Sequence, residues 1–204
     1  MKNSRFDQKD RIAGVILAAG GSSRLGVPKQ LLPWGKKNLI NTCINTARIS
    51  GLDPLVVVLG AHREAILPVL DQHGVYVVEN TQWEEGQSSS IHAGIRALPS
   101  DIRGALLLLA DQPQISVNLI TAIIEAAKQK DSIVAPVISG RRANPVYFPA
   151  RTFDALMQIK GDQGGRAVML QYQLALLDWQ EEDMAEDIDT LQDYERMLRK
   201  FGLD

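Results

Sequence analysis

Short apolar runs alternate with amphipathic segments along most of the chain, and this alternation predicts the order of strands and helices. Strands are predicted for the apolar runs 12–18, 55–59, 75–79, 105–110 and 133–137, with weaker ones at 145–148 and 174–177. Helices are predicted where apolar residues recur at helical spacing, near 39–50, 63–70, 89–98, 117–130, 151–159 and 166–172, and from about Thr190 onward. Because strands separated by helices usually pair in parallel through right-handed crossovers, we expect an α/β domain with a mostly parallel central sheet.

Composition narrows the class of protein without identifying it. The 204 residues suit one domain over 12–204, preceded by a flexible polar tail over 1–11. A formal net charge of −2, with no lysine and arginine cluster beyond local pairs, gives no sign of nucleic-acid binding. No run approaches 18 apolar residues and the first residues lack an apolar signal stretch, so we expect a cytoplasmic protein without membrane attachment.

The single cysteine, Cys43, excludes an intramolecular disulfide and a cysteine-based zinc cluster. Its neighbours Leu39, Ile40, Ile44 and Ala47 share one helical face with it. Because a free cysteine usually behaves as a small buried hydrophobic residue, we expect Cys43 to lie in the core.

The first predicted strand runs into a glycine- and serine-rich turn, which is followed by Arg24 and Lys29. Small residues let backbone N–H groups approach phosphate oxygens, and two cations offset the negative charge of a polyphosphate. The turn does not contain the Gly-x-Gly-x-x-Gly dinucleotide fingerprint. It is not a Walker A loop either, because Val27 stands where the lysine is required. A plain tight turn with two solvated cations remains the alternative.

Two acidic clusters follow predicted strands, where ligands bind in a doubly wound sheet. Asp111 heads the Asp-Gln-Pro sequence directly after the most apolar strand, and carboxylate oxygens at this position suit Mg²⁺. Asp189, in the sequence 187–190, is a candidate for a second metal ligand. The alternative is structural: Asp111 could cap or turn the chain before the Ser116 helix, and Asp189 or Thr190 could cap the last helix.

A polar segment over 80–94 offers groups that could recognise a base. Gly86 lets the backbone approach a ligand closely, and the three serines that end at Ser90 bring short hydroxyls to the start of a helix. An N-capped helix with a serine-rich turn is the alternative explanation. His92 lies inside this helix, and we interpret it as structural.

Taken together and in this order, these clusters resemble the molybdenum-cofactor nucleotidyltransferase family, and most of all its cytidylyltransferase branch. The resemblance extends from about Gly14 to the last helix. The motifs that carry it are 17–26 with Lys29 and 31–33; Asn80, Trp83, Gly86 and Ser90; 111–113; 142–146; 161–166; and 187–190. The resemblance implies a single three-layer, Rossmann-like nucleotidyltransferase domain with a mostly parallel central sheet.

The resemblance also implies an activity: Mg²⁺-dependent transfer of CMP from CTP to the phosphate of molybdopterin-bound molybdenum cofactor, with release of pyrophosphate. Catalysis would fall to Arg24, Lys29 and Asp111, and Asp111 and Asp189 would hold the metal. The nucleotide would be bound by Leu17, Ala18, Ala19, Gly20, Gly21, Ser22, Ser23, Arg24, Lys29, Gly86 and Ser90. The acceptor would be faced by Asn144, Asp162, Gly165 and Arg166.

Some features leave the substrates open. Ala19 favours CTP, because the guanylyl branch tends to have glycine at this position. Leu25 replaces the usual methionine, and Leu191 stands where members usually have proline, which makes the start of the last helix less certain. One alternative is a nucleotidyltransferase that acts on another small phosphorylated acceptor, with GTP or with a sugar or polyol phosphate. The other is a non-catalytic protein that delivers the cofactor to a molybdoenzyme client.

Overall fold

The strands of the computed structural model, which describes residues 10–22 and 25–203, form one large sheet and a short hairpin. Their bounds are β1 Ile12–Ala18, β2 Pro33–Trp34, β3 Lys37–Asn38, β4 Leu55–Leu59, β5 Val75–Glu79, β6 Gly104–Leu109, β7 Ile133–Ile138, β8 Arg141–Arg142, β9 Val146–Pro149 and β10 Leu174–Trp179. The helices are α1 Leu39–Ile49, α2 Arg63–Ile66, α3 Gln87–Arg96, α4 Val117–Gln129, α5 Phe153–Leu156, α6 Arg166–Met169 and α7 Leu191–Phe201.

The large sheet has the strand order β10-β7-β9-β6-β1-β4-β5, and β8 pairs with β7 beside this path. Strand β1 pairs in parallel with both β4 and β6, and β4–β5 and β7–β10 are also parallel. Strand β9 runs antiparallel between β6 and β7. The predicted mostly parallel sheet is therefore confirmed. The chain leaves the neighbouring strands β1 and β6 towards opposite edges of the sheet, which opens a crevice at their carboxyl ends.

Apolar layers cover both faces of the sheet, as a buried parallel sheet requires. On one face, Ile16 of β1 packs in a cluster with Ile40 of α1 and Ile120 of α4. On the other face, Val15 belongs to a cluster with Ile91 of α3 and with residues of α5 and α6. The predicted three-layer α/β arrangement is confirmed. No helix in the described part of the chain is long and apolar enough to cross a membrane.

Local chemistry explains most of the helix boundaries. The side chains of Asn38, Ser116 and Thr190 each accept a backbone N–H at the start of α1, α4 and α7. The predicted helix 63–70 is shorter than expected: α2 ends at Ile66 and a 3-10 turn over Leu67–Val69 contains Pro68. The predicted helix 166–172 also ends early, at Met169.

Helix α7 packs against the β2–β3 hairpin rather than against the main sheet. Trp34, Ile188, Tyr194 and Met197 form a small buried cluster there, and the Tyr194 hydroxyl donates to the Pro33 carbonyl at 2.6 Å. This packing fixes the segment that precedes α7, and that segment contains Asp189. The core position predicted for Cys43 is confirmed: its side chain is buried, and burial raises the pKa of the thiol.

Candidate active site

A cleft of about 750 Å³ lies at the carboxyl ends of β1 and β6. It is the crevice expected where the strand order reverses. It is lined by Leu17, Ala18, Ala19, Gly20, Gly21, Ser22, Lys29, Gln30, Trp83, Glu84, Gly86, Gln87, Ser90, Leu109, Ala110, Asp111, Asp162 and Asp189. The structure thus brings the glycine-rich turn, the serine-rich helix start and both acidic clusters to one place. Ser23 and Arg24 lie outside the described residues.

The backbone of the glycine-rich turn is held by Gln30, which sequence reasoning missed. This side chain is only 2% exposed, and its Nε2 donates to the carbonyl oxygens of Ala18 at 3.1 Å and Gly20 at 3.2 Å. The His62 ring Nε2 lies 2.9 Å from the Gly21 carbonyl and serves as donor to it. With its carbonyls bonded to protein donors, the turn has backbone N–H groups left for a ligand. The sequence carries no local signal for this role, because Gln30 is buried only where the fold supplies partners for its amide.

The Lys29 ammonium lies between the two acidic clusters. Its Nζ is 2.5 Å from Asp111 Oδ2, 3.2 Å from Asp189 Oδ1 and 3.3 Å from the Ile188 carbonyl oxygen. Burial lowers the pKa of Lys29, but the charges and hydrogen bonds of the two carboxylates outweigh it, so the pKa lies above its ordinary value. Lys29 is therefore charged, and both carboxylates converge on one cation.

Neither aspartate is an N-cap, so capping by Asp111 or Asp189 is wrong; the alternatives that Thr190 caps the last helix and that Asp111 lies in a turn agree with the structure. Ser116 caps α4, and Thr190 caps α7 in a capping box with Asp193. The carboxylates of Asp111 and Asp189 are left to face the cleft. Two carboxylates that share one cation form the hard oxygen donor set that divalent metals such as Mg²⁺ and Mn²⁺ prefer.

Two glutamines hold segment 186–189 against the Asp111 turn. Gln112 Nε2 donates to Asp187 Oδ1 at 2.7 Å, and Gln114 Nε2 donates to the Glu186 carbonyl at 2.5 Å. The backbone N–H of Ile188 also bonds the Asp111 carbonyl, at 3.3 Å. Loss of water around Asp187 and the nearby Asp111 charge raise the pKa of the Asp187 carboxyl. The distance between Asp111 and Asp189 is thus set by contacts at several residues.

Gly86 brings the loop 161–165 onto the wall of the cleft. Its φ is +99°, and a Cβ placed there would lie 2.4 Å from the carbonyl carbon of Gly161. The Ser88 N–H donates to the Gly161 carbonyl at 3.0 Å, next to this contact. No other residue could occupy this position without moving the loop. Asp162 reaches the cleft as a result.

The other residues predicted to face the acceptor do not line the cleft. Asn144 precedes β9, and Arg166 is exposed at the start of α6. Gly165 packs against the Phe148 ring, where a Cβ would lie 2.5 Å from a ring carbon, so packing accounts for this glycine. His92 Nε2 lies 3.1 Å from the Leu156 carbonyl, away from the cleft, in agreement with the structural role predicted for it.

The fold and this cleft define the chain as an enzyme of the nucleotidyltransferase class. Residues 14–176 match the model of the MobA-like NTP transferase domain, and the chain belongs to that family. The resemblance to molybdenum-cofactor nucleotidyltransferases is thereby confirmed.

Relatives in the family carry different names. The chain is 32% identical to the purine catabolism protein PucB of Bacillus subtilis and 30% identical to nicotine blue oxidoreductase of Paenarthrobacter nicotinovorans, each over 92% of this chain and 96% of the relative. It is 22% identical to the molybdenum cofactor cytidylyltransferase of Escherichia coli, over 88% of this chain and 92% of the relative.

The fold is similar to that of Rv0371c from Mycobacterium tuberculosis, with a TM-score of 0.84 and 28% identity over 93% of this chain and 98% of that one. A second structure of Rv0371c contains manganese, and it matches with a TM-score of 0.77 and 26% identity over the same shares of the two chains.

Proposed function

We propose that this enzyme transfers CMP from CTP to the phosphate of molybdopterin-bound molybdenum cofactor and uses Mg²⁺. The observation that carries the proposal is the convergence of Lys29, Asp111 and Asp189 at the mouth of the glycine-rich turn, in one cleft. A triphosphate needs backbone donors, a fixed cation and a site for a divalent metal. This cleft offers all three.

The reaction requires little covalent chemistry from the protein. An acceptor phosphate oxygen forms a bond to the α-phosphorus of CTP, the bond from that phosphorus to the bridging oxygen breaks, and pyrophosphate leaves with the electron pair. Because the acceptor phosphate is already ionised at neutral pH, no general base is needed. The protein mainly positions the two substrates and offsets their negative charge.

In this proposal each part of the cleft has one role. The N–H groups of the glycine-rich turn and Lys29 would bind the phosphates, a role that the sequence also predicts for Arg24. Asp111 and Asp189 would hold Mg²⁺, which when bound offsets charge on the reacting phosphates. Lys29 would then turn from the carboxylates to the phosphates. Gly86 and Ser90 would face the base, and Asp162 would face the acceptor, whereas Asn144, Gly165 and Arg166 do not line the cleft.

CTP and the molybdenum cofactor are proposed on separate grounds. Ala19 is the residue expected in the cytidylyl branch, and the Escherichia coli relative is named a molybdenum cofactor cytidylyltransferase. Another relative is named an oxidoreductase, so membership of the family does not by itself fix the reaction. The charged groups of the cleft favour nucleotidyl transfer, because they suit phosphates and a divalent cation.

The test is pyrophosphate release with each of the four NTPs, with and without molybdopterin-bound molybdenum. We expect release with CTP plus the cofactor, and a loss of about a thousandfold or more in Asp111→Asn. Asp178→Asn, the same substitution at an exposed position on edge strand β10, should keep full activity. Preference for GTP would overturn the choice of nucleotide. Binding of CTP without release would indicate a delivery protein, and release with a sugar or polyol phosphate would indicate another acceptor.

A further inference from the structure

Asn80 makes a set of hydrogen bonds at the end of β5 that the nucleotidyl transfer reaction leaves unexplained. The residue is 5% exposed, and its backbone N–H donates to the Leu59 carbonyl at 2.7 Å. Its side-chain Oδ1 accepts the backbone N–H of Gln82 at 3.0 Å. Because an N–H cannot donate to the amide nitrogen, this bond fixes which end of the Asn80 amide faces helix α3.

The amide nitrogen faces two serine hydroxyls on α3. Asn80 Nδ2 donates to Ser89 Oγ at 2.8 Å and to Ser90 Oγ at 3.0 Å, so both of its protons are used. Ser89 donates its own hydroxyl proton to the Gly86 carbonyl at 2.8 Å. Both serines are buried, but Ser90 lines the cleft and Ser89 does not.

This pattern leaves the proton of the Ser90 hydroxyl available to a ligand. Its oxygen already accepts from Asn80, and its proton has no acceptor among the hydrogen bonds of the described residues. A buried hydroxyl normally donates its proton, and the open side of Ser90 is the cleft. Ser90 therefore offers a hydrogen-bond donor to a ligand, because the Asn80 amide donates to its oxygen and cannot accept its proton there.

We propose that Asn80 is a positioning residue for base recognition: it holds Ser90 as a donor to a ring acceptor of the nucleotide, such as O2 or N3 of cytosine. This inference rests on the proposed function, since it assumes that the base lies against Ser90. Asn80 does not line the cleft, and it would act through the Ser90 hydroxyl.

The test reverses the polarity of the Asn80 side chain. In Asn80→Asp the side chain only accepts, so the Ser90 hydroxyl turns to donate to it and presents lone pairs to the base. We expect the affinity for CTP with Mg²⁺, measured by calorimetry without acceptor, to fall about tenfold. Ser90→Ala should lose about the same. Ser89→Ala, the matched control on the other Asn80 bond, should change the affinity less than about twofold.

A double-mutant cycle separates positioning from a general structural role. In the Ser90→Ala background, Asn80→Asp should lower the affinity for CTP by less than about twofold, because the hydroxyl it acts through is gone. Equal losses in both backgrounds, or a loss in Ser89→Ala as large as in Ser90→Ala, would overturn the inference. Thermal melting of each variant shows whether it folds. If Asn80→Asp does not, the same cycle with Asn80→Ala decides, with an expected loss of about threefold.

The outcome also separates this inference from the proposed function. If the wild-type protein binds CTP and the cycle shows no coupling, the inference alone fails. If the wild-type protein neither binds CTP nor releases pyrophosphate from any NTP, the proposed function fails, whatever the cycle shows.

Discussion

Replacing Lys29 with methionine tests the charge arrangement of the cleft directly. Lys29→Met keeps the length of the side chain and removes the ammonium, which leaves the Asp111 and Asp189 carboxylates facing each other. The Lys29 and Asp111 side chains are 16% and 17% exposed, whereas Asp189 is 49% exposed. Breaking a fully buried pair costs about 3–5 kcal/mol and a surface pair about 0–1 kcal/mol. We therefore expect a loss of about 2 kcal/mol, or about 4–8 °C in melting temperature.

A divalent cation should replace the missing ammonium. We expect Mn²⁺, added without nucleotide, to raise the melting temperature of Lys29→Met more than that of the wild type, because the wild-type ammonium competes for the same oxygens. The assay is thermal unfolding followed by circular dichroism, with and without Mn²⁺. Lys128→Met is the matched control: it removes a surface pair with Glu125, and its melting temperature should change by no more than about 1 °C.

The pH dependence of this stability difference follows from the direction of the Lys29 pKa shift. Because the pKa of Lys29 is raised on folding, its stabilising contribution is present in full below the ordinary lysine value of 10.5 and is lost only as the pH rises through the higher folded-state value. The difference between the wild type and Lys29→Met should thus be constant from about pH 7 to pH 10. The reasoning is refuted if Lys29→Met melts with the wild type, or if Mn²⁺ stabilises both proteins equally.

Three further predictions concern the surroundings of the cleft. Gly86→Ala should lower the free energy of unfolding in urea by about 2–4 kcal/mol, because alanine is strained at the positive φ of this position and its Cβ would push against the Gly161 backbone. A loss below about 1 kcal/mol would contradict the close contact. Cys43 should react with a thiol reagent no faster than the protein unfolds, since the thiol is buried and its pKa is raised; rapid labelling of the native protein would disprove this. Asp187→Asn should raise the melting temperature at pH 7, because the folded state raises the pKa of this carboxyl, and the gain should shrink as the pH falls towards the ordinary aspartate value of 3.8; a gain that is independent of pH would point to another cause.

Most of the sheet could be predicted from the sequence because its strands are buried on both faces. Strands β4 and β5 have the predicted bounds, and the apolar run of β6 marks a central strand. The direction of β9 could not be predicted, since it depends on where the chain returns after β7. The short length of α2 had a visible signal in Pro68, which a pattern of apolar spacing does not take into account.

The site was predictable as a set of residues, but its internal contacts were not. The glycine-rich turn and Asp111 could be placed at one edge of the sheet, because they follow the parallel strands β1 and β6. The contact of Lys29 with Asp189 joins residues 160 positions apart, and no local pattern encodes it. The buried glutamines Gln30 and Gln112 look like ordinary surface residues in the sequence, because burial of an amide becomes favourable only when the fold supplies its partners.

The second carboxylate of the cleft is synthesised late. Asp189 follows β10, so every strand of the sheet has left the ribosome before this residue does. Its position depends both on α7 docking on the β2–β3 hairpin and on the contacts of segment 186–189 with the Asp111 turn. A nascent chain can therefore complete the sheet and the glycine-rich turn at a stage when Asp111 is the carboxylate available to the cation of the cleft and Asp189 is not yet in place. Proteolytic removal of α7 would leave Asp189 held only by the contacts of segment 186–189 with Gln112, Gln114 and the Asp111 carbonyl.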